Sequence, residues 1–339
     1  MSRKTYKIGY VFTEKKIKHQ GIQQFIDYSR ENNFDINPIN LDIPVESQGP
    51  YDCIIHKITD LIAKAENGDL IVKKQVDNFK NYVNNNSTVP IVDPLDVVCK
   101  LMDRITANDL LEKVRTMENE NGKILFKLPD YTIKPLYKED LKDIHFPIMC
   151  KRINACSSKI AHEMALIPSL EKVDEARKIM SSSTNNENEK YIIQQFVNHD
   201  GILFKIYVYD SNFKVIIRPS LNNVKTEDIV FFDSQKIPKE FKEQTSTEEG
   251  VPPPNSFANL SSIDVIERKK RLLDEDKITE ITNDLSDCLN LTLYGYDVII
   301  DSETNDYYIV DVNYFPAFAG VKDFNEVLYN AILKRLNKL

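Results

Sequence analysis

Tyr294-Gly295-Tyr296-Asp297-Val298-Ile299-Ile300-Asp301, a polar turn at Ser302–Asp306, then Tyr307-Tyr308-Ile309-Val310-Asp311-Val312-Asn313 form the stretch whose reading decides the fold. Two runs rich in β-branched and aromatic residues flank a short polar turn, which is the pattern of a β-hairpin. With the turn centred on Thr304, Asp297 and Asp311 each stand seven positions from it and face each other across the ladder. Asn313 then lies two residues further along the same face. Opposed like charges destabilise a sheet unless something compensates them. A hard divalent cation is the natural compensator, because carboxylate and amide oxygens are the ligands magnesium takes. Magnesium held by few protein groups completes its shell with phosphates, so the constellation also predicts a phosphate-bearing ligand. The alternative is a solvated strand edge with two exposed aspartates.

Outward from the hairpin, the 339 residues suffice for two or three compact units. Nine glycines are few for this length, and neither GxxxxGK[ST] nor GxGxxG occurs, which disfavours P-loop, Rossmann and protein-kinase readings. A net charge of −8 argues against general nucleic-acid binding, although a local basic pocket can sit on an acidic protein. No run reaches membrane-span length, and the five cysteines lack paired zinc spacing, so reduced thiols in a soluble cytoplasmic protein are expected. Strands at Lys7–Phe12, Phe34–Leu41, Tyr51–His56 and Val89–Val92 alternate with helical stretches at Gln20–Asn33 and Leu61–Val83, as in an open parallel sheet. Ligands of such sheets bind beyond the carboxyl ends of the strands, where Lys15-Lys16 and His56-Lys57 stand. Asp93-Pro94 breaks the chain, helix-like sequence follows to about Met117, and further strands are expected at Pro129–Ile133, Phe146–Lys151, Tyr191–Val197, Ile202–Tyr209 and Lys214–Pro219. Glu171–Met180 and Asp276–Leu291 read as helices, Lys242–Ser262 as a surface insertion, and Phe324–Leu336 as a closing helix burying Phe324, Val327, Leu328, Ile332 and Leu336.

Several cations end or interrupt apolar strands. Lys57 and Lys151 each close one, Arg218 follows Val215-Ile216-Ile217, and Lys205 lies inside Ile202–Tyr209. A buried ammonium is costly unless an anion pairs with it, and arginine suits bidentate phosphate binding. Each could instead be a solvated strand-end charge; together they fit a shared anion site. His162 is not part of an HExxH zinc motif, since Leu166 stands where the second histidine is required, and no GxSxG supports a serine nucleophile.

Taken together, the motifs resemble the inositol 1,3,4-trisphosphate 5/6-kinases, also called inositol-tetrakisphosphate 1-kinases, of the ATP-grasp fold. The matching stretches, in the family's order, are Thr13 to Lys18, Ile55 to Asp60, Val92 to Leu95, Asp103-Arg104, Phe146 to Lys151, His162 to Met164, Gln194 to His199, Arg218 to Leu221 and Asp311 to Pro316. Agreement is thinnest at 115–145, 176–190 and 236–270. The resemblance implies an N-terminal α/β domain at 1–98 with a mostly parallel sheet, then two ATP-grasp α+β domains, 99–189 and 190–339, that clasp ATP. It implies ATP contacts from Arg104, Lys151, Gln194, Gln195, Phe196, Val197, Lys205, Ser220 and Ser234. Lys16, Lys57, His162, Lys205 and Asn313 would hold an inositol phosphate, and Asp297, Asp311 and Asn313 would bind Mg2+, as two ions. Lys205 and Arg218, with Lys151, would neutralise charge during γ-phosphoryl transfer from ATP. The expected partners are ATP and inositol phosphates, with no nucleic acid or membrane, for a cytoplasmic monomer. An ATP-grasp carboxylate–amine ligase and a non-catalytic nucleotide or inositol-phosphate sensor stay open as alternatives. The chain departs from the family's pattern in the segment between Lys151 and His162, which lacks a glycine, at Pro238 and at Ala317.

Overall fold

The computed structural model describes residues 4–337 except 20, 118–123, 154–158, 211, 225–226, 242–255, 257, 259–262, 319–320 and 322. Apart from Ser256 and Ala258, the insertion expected at Lys242–Ser262 lies outside the described residues.

The first sheet contains β1 (Tyr6–Val11), β2 (Phe34–Pro38), β3 (Cys53–His56) and β4 (Ile91–Val92), in the order β2-β1-β3-β4 and all parallel. Its helices are α1 (Glu14–His19), α2 (Ile22–Glu31), α3 (Thr59–Glu66) and α4 (Leu70–Asn85). The chain continues through α5 (Leu95–Lys100) and α6 (Arg104–Thr116), whose start is capped by the Asp103 carboxylate on the Ile105 and Thr106 amides, both at 2.9 Å. The unbroken apolar run of β3 reflects burial on both faces. Cys53 and Ile55 pack with Phe25 and Ile26 of α2, whereas Ile54 packs with Val76 and Phe79 of α4.

The central sheet is antiparallel, in the order β11-β7-β6-β8-β5, and is built from β5 (Tyr131–Pro135), β6 (Ile148–Lys151), β7 (Glu163–Ile167), β8 (Lys190–Gln195) and β11 (Val230–Asp233). α7 (Lys138–Leu141) precedes β6, and α8 (Val173–Ser181) covers one face with Val173, Ala176 and Met180 against Ile148, Cys150 and Ala165. The alternate positions Met149 and Lys151 are thereby left for the opposite face. β7, β11 and α1 are not evident in the sequence reading. Because β8 and β11 pair within this sheet, the central unit takes in strands beyond the division expected at 189/190. Hydrogen-bonded pairing, rather than chain order, decides which sheet a strand joins.

The last sheet is also antiparallel, β10-β9-β12-β13, from β9 (Ile202–Tyr209), β10 (Asn212–Pro219), β12 (Leu293–Ile300) and β13 (Tyr307–Tyr314). Behind it lie α9 (Ile263–Leu272), not expected from sequence, and α10 (Glu275–Leu289). The buried hydroxyls of Tyr294 and Tyr296 reach Ser286 (2.8 Å) and Thr282 (2.7 Å) on α10, so their rings can be buried without stranding a polar atom. α11 (Phe324–Asn337) returns to the first sheet, where Tyr329 stacks on Phe34 with ring centroids 4.3 Å apart. Phe324, Leu328 and Ile332 are buried as expected, while Val327 and Leu336 are half-buried.

Candidate active site

Side chains alternate along β12, so Tyr294, Tyr296 and Val298 face the helices while Gly295 and Asp297 face the central sheet. Asp297 pairs with Asp311 on one side and with Lys205 on the other, giving a row Lys205–Asp297–Asp311 across three strands. The hairpin reaches this register through a bulge. Nearest the turn Ile300 pairs with Tyr307 and Val298 with Ile309, and Val310 is the extra residue that brings Asp311 opposite Asp297. Gly295 faces Asn313, and a Cβ there would lie 3.0 Å from the Ile206 carbonyl oxygen, so only glycine fits without a shift.

The paired carboxylates also receive a counter-charge from the protein itself. Lys205 Nζ donates to Asp297 Oδ1 at 2.6 Å, so a neighbouring strand supplies the first counter-charge. Burial pushes the Asp297 carboxyl up, Lys205 pulls it back, and Asp311 pushes it up again, leaving it above its ordinary value. Burial lowers the Lys205 ammonium, but Asp297 and Asp311 outweigh it and hold the proton more firmly than usual. Asp311 itself is exposed, and Asn313 Nδ2 donates to its Oδ2 at 2.6 Å.

Lys57, Arg104, Lys151, His162, Lys205, Asp297, Asp311 and Asn313 all line one cleft of about 500 Å3, whose walls come from the central and last sheets, the segment just after β3, α5 and α6. Lys151 has no ion-pair partner among the described residues, and burial together with the Arg104 guanidinium depresses its ammonium to about 8, against the pull of Asp311 and Asp297. Arg104 opens α6 and donates through NH1 to the carbonyls of Arg152 (2.8 Å) and Ala161 (3.3 Å). His162 ends a short 3-10 turn before β7, and burial and Arg104 lower its imidazole. Lys57 is buried and donates to the Phe315 carbonyl. Lys16 and Arg218 do not line the cleft: Lys16 pairs with Asp60 at 3.4 Å, and Arg218 donates to the Tyr207 hydroxyl at 2.7 Å.

Adjoining the cleft is a narrower, largely apolar pocket of about 130 Å3. Gln194, Gln195, Phe196, Val197, Ser220 and Ser234 line it, together with Met149, Leu221 and Phe232. Lys151, Gln194 and Ser234 border both spaces, so a flat apolar group in the pocket would place its polar extension among the cations.

Residues 124–334 match the inositol 1,3,4-trisphosphate 5/6-kinase ATP-grasp domain, and residues 7–98 match the pre-ATP-grasp domain of the same family. The chain belongs to the inositol 1,3,4-trisphosphate 5/6-kinase family. Inositol-tetrakisphosphate 1-kinase of Xenopus laevis is 29% identical over 343 residues, spanning 98% of this chain and 79% of that protein. The Danio rerio protein of the same name is 28% identical over 337 residues, spanning 96% and 78%. D-alanine–D-alanine ligase from Bacillus anthracis shares the fold at a TM-score of 0.55 and 12% identity, over 98% of this chain and 97% of that one.

For a family member of ATP-grasp fold, the donor set suits magnesium. Among the described residues no three carboxylate, imidazole or thiolate groups cluster as a self-sufficient metal site. Asp297 and Asp311 nevertheless offer opposed hard oxygens with the Asn313 amide beside them, an incomplete shell of the kind magnesium fills with phosphate and water. Two groups escaped the sequence reading. Asp93 looked like a chain break, although an apolar strand ending in an acid before proline could have marked it as buried. The buried His199 beside Ser220 was legible only as part of the Gln194–His199 motif.

Proposed function

We propose that the protein transfers the γ-phosphoryl group of ATP to a hydroxyl of an inositol phosphate. The acceptor would be position 5 or 6 of inositol 1,3,4-trisphosphate, position 1 of inositol 3,4,5,6-tetrakisphosphate, or both, as the family and its relatives' names suggest. The observation that carries this reading is the row Lys205–Asp297–Asp311 at the floor of a cation-lined cleft that continues into an apolar pocket.

In this reading Asp297, Asp311 and Asn313 hold Mg2+, as two ions, which when bound supplies positive charge to the β- and γ-phosphate oxygens. Gln194 to Val197, Ser220 and Ser234 surround the base and ribose. Arg104 and Lys151 take the phosphates. Lys205, already oriented by Asp297, stands where negative charge spreads during transfer, and Arg218 supports it from the neighbouring strand. Lys57, His162 and Asn313 receive the phosphates of the acceptor, with Lys16 at the rim. As the acceptor hydroxyl oxygen bonds to the γ-phosphorus, the bond from γ-phosphorus to the bridging β-phosphate oxygen breaks, ADP leaves and the hydroxyl proton is released to water. Positioning and electrostatics carry most of such a reaction.

The division into an N-terminal unit, a central unit and a C-terminal unit is part of the same proposal. So is action as a monomer. Cytoplasmic residence accords with the free thiols of Cys53, Cys99, Cys150 and Cys288. No helix among the described residues is long and apolar enough to cross a membrane.

Incubation with magnesium, γ-labelled ATP and a panel of inositol phosphates tests the reading. Label on an inositol ring supports it. An acyl-phosphate adduct with a carboxylate substrate, or binding without turnover, would overturn it in favour of a ligase or a sensor.

A further inference from the structure

We infer that His199 is a positioning residue that turns the Ser220 hydroxyl into a hydrogen-bond acceptor toward the apolar pocket, so that the pocket selects a nucleotide presenting an N–H or O–H donor at that wall. The inference rests on the nucleotide reading of the pocket and adds to it the direction of one hydrogen bond.

His199 is buried, and both its ring nitrogens are engaged: Nδ1 lies 2.7 Å from the Val197 carbonyl oxygen and Nε2 lies 2.8 Å from Ser220 Oγ. A carbonyl oxygen can only accept, so Nδ1 carries the proton. Burial lowers the imidazole to about 4, so at neutral pH the ring bears one proton and Nε2 is a lone-pair acceptor. Ser220 must therefore donate its hydroxyl proton to His199, which leaves only oxygen lone pairs for the pocket. The serine has little freedom to do otherwise. Its amide donates to the Gly201 carbonyl at 2.7 Å, and its carbonyl accepts from the Ala258 amide at 3.1 Å. Gly201 sits at φ +69 with a Cβ position 2.7 Å from Asn222 Oδ1, so the turn carrying His199 is itself tightly set. Phe196, Leu221 and Phe232 line the same pocket with apolar surface, and a buried acceptor facing another acceptor is penalised.

The shared chemistry is a donor, which in ATP is either the adenine amino group or a ribose hydroxyl. The test compares kcat/KM for ATP, ITP, 2′-deoxyATP and 3′-deoxyATP in the wild-type protein, Ser220→Ala and His199→Phe. One analogue lacking the relevant donor is expected to lose about tenfold in the wild type, through the KM for nucleotide. That difference should vanish in Ser220→Ala, where no acceptor remains. In His199→Phe the hydroxyl is free to rotate and donate, so an analogue presenting a carbonyl at the wall should regain activity. Equal discrimination in the wild type and Ser220→Ala overturns the inference while leaving the kinase reading intact; absence of any nucleotide turnover defeats the kinase reading itself. Because His199→Phe removes a buried polar group, a second measurement stands independently of folding. Long-range 1H–15N NMR of the wild-type protein should show His199 protonated at Nδ1, and protonation at Nε2 overturns the inference.

Discussion

Asp93, just after the short strand β4, and Asp297, inside β12, are both acids set among apolar residues, yet they meet opposite surroundings. Asp93 lies where the first sheet meets the last and is wholly buried. Its Oδ1 accepts from the Thr292 amide at 2.7 Å and its Oδ2 from the Leu293 amide at 2.9 Å, with Arg335 at 3.8 Å. The Tyr314 hydroxyl completes the seam by donating to the His56 carbonyl at 2.7 Å, and the His56 ring reaches the Asp93 carbonyl at 2.8 Å. Asp297, in the cleft, has one ammonium partner among the described residues and faces a like charge. Both carboxyls are held above their ordinary value, first by burial, but the remainder differs: hydrogen bonds from Thr292 and Leu293 oppose the shift at Asp93, whereas at Asp297 the Lys205 ammonium opposes it and Asp311 adds to it. Where every oxygen is satisfied from within, the acid is a structural rivet. Where charge is left over, the fold holds capacity for a ligand.

Substitutions should break this contrast in different observables. Asp311→Ala is expected to lower turnover by about 10²–10³-fold, the scale of losing one transition-state electrostatic contact, without lowering the melting temperature. Asp311 is exposed and faces Asp297, so its removal relieves repulsion. Turnover at the wild-type level would remove Asp311 from the metal site. Asp93→Ala should do the reverse. It strands two buried amides, so denaturant unfolding should show a loss of roughly 3 kcal/mol, with activity per folded molecule changed much less. A smaller effect, about tenfold, is expected for Lys57→Ala, as a rise in KM for the inositol phosphate with KM for ATP held. Lys57 bridges the two regions, since it projects into the cleft while its ammonium is fixed by the Phe315 carbonyl beside the Tyr314 seam. An unchanged KM for the acceptor would assign Lys57 to the seam alone.

The facing of Asp297 and Asp311 was legible because strand periodicity is two residues and the turn is short. The route to it was not. A count from Thr304 carries no sign of a bulge, and the ladder nearest the turn runs one residue out of step with that count until Val310 restores it. Lys205 was legible as a cation needing an anion, but its partner stands 92 residues away, and only tertiary pairing of β9 with β12 could name it. β11 escaped for a different reason: it is four residues long at a sheet edge, too short for periodicity to register. Buried seams such as Asp93 remain hidden generally, because the groups that satisfy them are backbone amides of no particular sequence.

A last effect, spread over pH rather than concentrated at one condition, concerns Lys151, where stability and ligand binding should move in opposite directions with pH. Its ammonium titrates near 8 in the folded protein and near the ordinary 10.5 once unfolded. Below pH 8 both states carry the charge, and the folded state bears the full penalty of burying it. As pH rises from 8 to 10.5 the folded state has already released its proton, so the penalty is relieved and this residue's contribution to stability improves. Nucleotide phosphates need the ammonium, so the affinity for magnesium-free ATP should weaken over the same window, by up to about tenfold per pH unit, with proton uptake on binding. Calorimetry in buffers of different ionisation enthalpy measures that uptake directly. Lys151→Arg, charged throughout, should abolish both trends, whereas Lys205→Arg should leave them, because the Lys205 ammonium is already held by Asp297. Affinity for ATP that stays level across pH 8 to 10 in the wild type would place Lys151 away from the phosphates and leave their binding to the other cations of the cleft, Lys57, Arg104 and Lys205.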